Sequence, residues 1–154
     1  MIAYLSGGME NAPNYGSDWR IDMGIWLKKK LNHDVIDPVK ETKNLININN
    51  AKNYRNWKTN KPKQFKHFIR KLINQDLDAV INKADYLIVL WDSSVLKGGG
   101  THGEVTVAYW MGKPIYLVNK LDFDDLSAWI SSCSTNVYQS LDELKKELIK
   151  VYAS

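Results

Sequence analysis

The 154-residue sequence predicts an α/β fold, a three-layer sandwich on a five-stranded, mostly parallel sheet. Three observations predict it. Short apolar runs at residues 2–5, 35–36, 86–91 and 115–118 alternate with longer segments whose apolar residues recur at helical spacing. Glycine-containing turns, Ser6-Gly7-Gly8 and Gly98-Gly99-Gly100, follow two of the runs. Helix stop and start signals separate the segments.

Residues 2–5 read as a short buried strand ended by Ser6-Gly7-Gly8, and a polar loop runs to Gly16. Ser17 is placed to cap a helix with Asp18 in its first turn. Trp19, Met23, Trp26, Leu27 and Leu31 give that helix its stripe. Asn32-His33 turns the chain into a second strand at Val35-Ile36, which Asp37-Pro38 closes because proline cannot continue a ladder. Residues 39–62 are rich in Asn and Lys, and they predict a long mobile flap with one helical turn. From Pro62 the spacing of Phe65, Phe68, Ile69, Leu72, Ile73 and Val80 predicts a helix. Residues 86–91 are the clearest buried strand, ended by Asp92. A helix follows from about His102 and stops at Gly112-Lys113-Pro114. Residues 115–118 form a fourth strand, residues 122–131 a short helix, and Asn136-Val137-Tyr138 an edge strand. Ser140 with Glu143 predicts a capping box for a final helix striped by Leu141, Leu144, Leu148 and Val151.

Right-handed crossovers favour the strand order 2-1-3-4-5, a flavodoxin/Rossmann-like arrangement in one domain spanning residues 1–154. In that order the loops after strands one and three face a shared crevice at the strand C-termini. The two glycine-rich loops should therefore meet around one ligand.

The net charge of +4 comes from scattered lysines, so no single nucleic-acid face declares itself, and a small anionic ligand also fits the sign. The lone Cys133 excludes an internal disulfide and a cysteine metal cluster. His33, His67 and His102 form no ligand set, so neither a metal nor a cofactor is expected. No apolar run approaches a membrane span, and residues 1–5 read as a strand rather than a signal; a cytoplasmic protein is the expectation.

Two acids stand out. Glu104 follows the glycines in what reads as the first turn of a helix, where the dipole should keep it ionised. The expectation is that Glu104 reacts and the glycines clear space for its substrate. Asp76 lies four residues from both Leu72 and Val80, an acid inside an apolar stripe.

Tyr4-Leu5-Ser6-Gly7-Gly8-Met9, Asp18-Trp19-Arg20, Asp76, Ala84-Asp85, Gly100-Thr101-His102-Gly103-Glu104, Ala108 and Gly112-Lys113-Pro114-Ile115 together resemble the nucleoside 2-deoxyribosyltransferase-like family. That family includes related nucleotide N-glycoside hydrolases. The likeness spans most of the chain and is weakest over residues 39–62. It implies that Glu104 attacks the anomeric carbon and that Asp76 assists as an acid or orienting group. It also implies that Ser6, Gly7 and Gly8 lie against the sugar or its 5′ end. Asn136 matches an asparagine that a neighbouring subunit contributes in the transferases, so a homo-oligomer is expected. Two positions depart from the pattern. Gly98 stands where the transferases carry a base-binding acid, and Gly8, Met9 and Glu10 stand where the hydrolases place phosphate-holding side chains.

The implied chemistry is cleavage or transfer at the N-glycosidic bond of a nucleoside or nucleoside 5′-monophosphate through a glycosyl-enzyme. Asp92, Gly100 and His102 complete the expected substrate-binding set, Asp92 as a base contact or simply a loop cap. Tyr54 or Trp57 could stack on a base, and Arg20 could pair with a phosphate or with a nearby carboxylate. The readings set beside this one are a non-catalytic nucleotide-binding module of the same fold and a nucleic-acid-binding protein, for which no motif is present.

Overall fold

A computed structural model describes residues 1–153. Five strands form one sheet in the order β2-β1-β3-β4-β5. They are β1 Ile2–Gly7, β2 Asp34–Ile36, β3 Tyr86–Trp91, β4 Ile115–Asn119 and β5 Asn136–Tyr138. Every pairing is parallel, with Tyr4 opposite Leu87 and Val89 opposite Leu117 at the centre. The predicted order holds, and no strand runs against the others.

Helices cover both faces. Two of them, α1 (Ser17–Leu31) and α7 (Leu141–Tyr152), pack with Ala3, Leu5, Tyr86, Ile88, Tyr116 and Val118. The opposite face carries α2 (Pro38–Ile48), α3 (Trp57–Asn60), α4 (Pro62–Asp78), α5 (Gly100–Trp110) and α6 (Ala128–Cys133). Its core joins Tyr4, Leu87, Val89 and Leu117 to Val80, Val105, Ala108 and Ile130. Strand residues two apart share a face, which is why Tyr4 and Leu5 serve different cores.

Several helix ends read as expected. Ser140 accepts from the Glu143 N–H at 3.1 Å. The Glu143 carboxylate accepts in return from the Gln139 N–H at 2.9 Å, one residue before the cap. Gly112 takes a left-handed φ of 69° and closes α5, with Lys113 N–H reaching Ala108 O at 3.0 Å. The expected 122–131 helix is a 3-10 turn, Phe123–Asp125, followed by α6 with Ser127 as its cap.

Three expectations are corrected. The 39–62 segment is no flap with one helical turn; it carries the eleven-residue α2, a 3-10 turn at Tyr54–Asn56 and α3. The cause lies in Asp37-Pro38. Asp37 caps α2 by accepting from Val39 N–H at 2.9 Å, and Pro38 occupies the first helical position, where its missing N–H costs nothing. Ser17 is not the cap of α1; Gly16, in a left-handed conformation, holds that place and Ser17 begins the helix. α5 begins at Gly100, not at His102, so Glu104 is its fifth residue and lies beyond the first turn.

Candidate active site

The site starts from strand alternation. Tyr4 and Ser6 lie two apart on β1 and point to the face covered by α5. On α5 the buried residues Thr101, Glu104, Val105 and Ala108 form the stripe that meets the sheet. Glu104 therefore arrives above β1. Its Oε1 accepts from the Tyr4 hydroxyl at 2.9 Å, and its Oε2 accepts a short hydrogen bond from the Ser6 hydroxyl.

Glu104 is buried, and burial pushes its carboxyl above the usual range. The hydroxyls of Ser6 and Tyr4 and the charge of Arg20 act the other way, stabilising the carboxylate. The expected dipole effect is thus not what sets this group; desolvation and two O–H donors do. Tyr4 is held well above its ordinary value by burial and by the nearby charges of Glu104 and Asp76.

Asp76, near the end of α4, is half-buried. Burial, then the charges of Glu104 and Glu41, raise its carboxyl to about 7. Two carboxyl groups in electrostatic contact thus have different surroundings. One is dry and receives two O–H donors; the other is half-open and holds a proton near neutrality.

Arg20 is the side chain that shapes the first loop. It falls on the buried face of α1 with Met23 and Leu27 and is 1% exposed. Its guanidinium donates to the carbonyls of Leu5, Gly7 and Gly16 at 2.9 Å and Gly8 at 3.2 Å. Its Nε lies 3.9 Å from Asp37, and the guanidinium lies over Trp19 at 4.9 Å. Bound to four carbonyls, it is a clamp on the loop rather than a group free to seek phosphate.

The loops after β1 and β3 meet, as the strand order requires. A Cβ built on Gly8 would fall 1.8 Å from Ser94 Oγ and 2.7 Å from Ser94 Cβ. The contact is made by the Ser93–Val95 turn, not by the three glycines. Gly98, Gly99 and Gly100 have no positive φ, and a Cβ on any of them would meet nothing within 4 Å. They border open space, so their contribution is room and not an unusual backbone.

Asp92 caps the Ser93–Val95 turn, accepting from Ser94 N–H at 2.9 Å and from the Ser94 hydroxyl. With Gly8, Gly16 and Trp19 it lines a cavity of about 180 Å³ between the loops. His102 packs edge-on against Trp91 with centroids 4.7 Å apart, and its Nδ1 is buried without a partner. Asn136 is exposed on the edge strand β5, opposite Tyr116 near the start of β4. The chain therefore gathers Ser6, Glu104 and Asp76 into one cluster, with Gly7 and Gly8 next along the chain from Ser6. Gly100 and His102 sit at the start of α5, and Asn136 stands apart.

The Ser6 hydroxyl, expected against the substrate, donates to Glu104. The sequence pattern hides Tyr4, which looks like one more apolar residue of a buried strand; the signal available was its i, i+2 relation to Ser6. Tyr54 and Trp57 pack on Phe68 of α4, with centroids 5.0 and 6.2 Å away. Among the described residues no three His, Cys, Asp or Glu side chains are grouped to hold a metal ion. No helix there is long and apolar enough to cross a membrane.

No protein-family model matches the chain, and no curated protein matches it by sequence. Solved structures match it in fold. One is the CMP N-glycosidase BcmB of Clostridium botulinum, 21% identical with a TM-score of 0.51, the match covering 96% of this chain and 98% of that one. Another is the 2-deoxyribosyltransferase of Leishmania mexicana, 14% identical with a TM-score of 0.57 over 97% of each chain. The architecture expected from the resemblance is the one these proteins share.

Proposed function

We propose that the protein breaks the N-glycosidic bond of a (deoxy)nucleoside or nucleoside 5′-monophosphate and passes the sugar to water or to an acceptor base. The observation that carries this is the pairing of a buried, doubly hydrogen-bonded Glu104 with Asp76, a carboxyl raised to about 7. Two acids with divided environments are the arrangement that glycoside chemistry uses. The names of the two structures that share the fold, a CMP N-glycosidase and a 2-deoxyribosyltransferase, support the same reading.

In this reading a carboxylate oxygen of Glu104 bonds to the anomeric carbon as the carbon–nitrogen bond breaks. The bonding pair leaves with the base, and Asp76 supplies the proton that neutralises it. Water or an acceptor base then attacks the same carbon, frees the Glu104 carboxylate and returns a proton to Asp76. Tyr4 and Ser6 hold the nucleophile in place. The open space beside Gly98, Gly99 and Gly100 admits the sugar and its 5′ substituent, with His102 beside it. Asp92 contacts the substrate from the cavity between the two loops, and Asn136 acts from a second copy of the chain.

The test is incubation with deoxynucleosides and deoxynucleotides, with and without an acceptor base. Free or exchanged base is expected, and Glu104→Gln should lower the rate by ~10⁴-fold or more. A rate that Glu104→Gln leaves intact would refute the assignment. Mass spectrometry of the quenched wild-type reaction should show the sugar on the protein.

A further inference from the structure

A second cavity is lined by Met9 and Tyr15 of the first loop and by the segment that follows β2. Its volume is about 390 Å³, the size class of a small-molecule site. Met9, one residue beyond Gly8, lines it, so it shares the first loop with the candidate active site. It is also lined by α2, whose Glu41 helps raise Asp76.

Two features give its chemistry. The first is aromatic. Tyr15 and Tyr54 both line it, and the Arg55 guanidinium lies 5.0 Å from one ring centroid and 5.5 Å from the other. Tyr15 is held there in a left-handed conformation, φ 54°, next to Asn14 at φ 48°. That backbone is costly for residues with a Cβ, and such cost is found where a side chain is held for use. An Asn14–Asp18 hydrogen bond of 2.8 Å fastens it.

The second feature is charge. Lys43, Lys52 and Arg55 all line the cavity. Arg55 meets one acid, Glu10, at 3.9 Å, while Lys43 and Lys52 make no ion pair among the described residues. Three cations around an aromatic-walled cleft suit a flat ligand that carries negative charge. A neutral base needs none of them.

We infer that this cleft binds a planar heterocycle bearing an anionic substituent, and that this heterocycle is the leaving base of the proposed reaction. The second half rests on the glycosidic reading; the first does not. Arg55 is already positioned by its two tyrosines, with Tyr54 Oη at 3.3 Å and Tyr15 Oη at 3.4 Å, so little ordering is needed on binding. The cations would also stabilise negative charge as the bonding pair moves onto the base.

Titration calorimetry with uracil, 5-carboxyuracil and 6-carboxyuracil tests this on the full chain. At least one carboxylated base should bind ~10-fold tighter than uracil or better, and added salt should shrink the difference. Lys43→Ala and Lys52→Ala, both at exposed positions, should each reduce that preference, and Arg55→Ala should remove it. Equal affinities, no measurable binding of any of the three, or a preference untouched by all three variants would overturn the inference. Base release from the corresponding nucleosides and nucleotides separates the two claims. A carboxylate preference without turnover of any substrate leaves the cleft standing and removes the glycosidic reading. Turnover without the preference does the reverse.

Discussion

Glu104 can act as a nucleophile only while ionised, and its burial opposes that. Tyr4 and Ser6 therefore matter through the charge they stabilise. Ser6→Ala should lower kcat by ~10-fold, the worth of one hydrogen bond to a charged group, and should move the acid limb of the rate profile to higher pH. Tyr4→Phe should do the same. A pH profile that does not move with either variant would leave the hydroxyls a packing role only. In the proposed reaction Asp76 governs the other limb. Its acid form is needed, so kcat should fall as pH rises through about 7, and Asp76→Asn should abolish that limb while slowing the reaction. The same group links to stability. Folding raises its value from 3.8 to about 7, so its proton favours the folded state. That advantage is complete below pH 3.8 and is lost as pH rises through 7. At pH 8 Asp76→Asn should be the more stable protein by ~4 kcal/mol, and at pH 3 the two should match, as chemical denaturation will show.

At the scale of elements, the loops after β1 and β3 press together where Gly8 meets Ser94. Gly8→Ala would drive a methyl into Ser94 and should cost ~1–3 kcal/mol, with loss of activity. Gly8→Ala combined with Ser94→Gly should recover much of it; a double-mutant cycle without coupling would show that the loops do not press together there. Arg20 fastens the same loop from beneath. Arg20→Met should destabilise the fold by ~3–5 kcal/mol, because it orphans the carbonyls of Leu5, Gly7, Gly8 and Gly16. The residue was visible in the sequence at the spacing of the α1 stripe, but its partners are backbone atoms of a distant loop. The α2 helix escaped sequence reading for a related reason. Asn and Lys on its outer face hid the pattern, while Asp37-Pro38, taken for a strand end, is equally a helix start.

For the whole molecule, Asn136 poses the question of assembly. It stands on the open edge strand, apart from Glu104 in the single chain. If a second copy supplies it, Glu104→Gln and Asn136→Ala proteins, each inactive, should recover about a quarter of full activity when mixed and reassembled as dimers. No recovery would place Asn136 outside the site. By itself the sequence determined the sheet, its order and the two acids. Strands announce themselves by apolar runs, crossovers have one hand, and an acid in an apolar stripe is conspicuous. Only the tertiary structure decided what those acids are. The start of α5, the donors on Glu104 and the desolvation that raises Asp76 all depend on residues as much as 100 positions apart, Tyr4 and Glu104 being one such pair. Local pattern carries no record of such contacts, because a carboxyl takes its proton affinity from whatever the fold brings beside it.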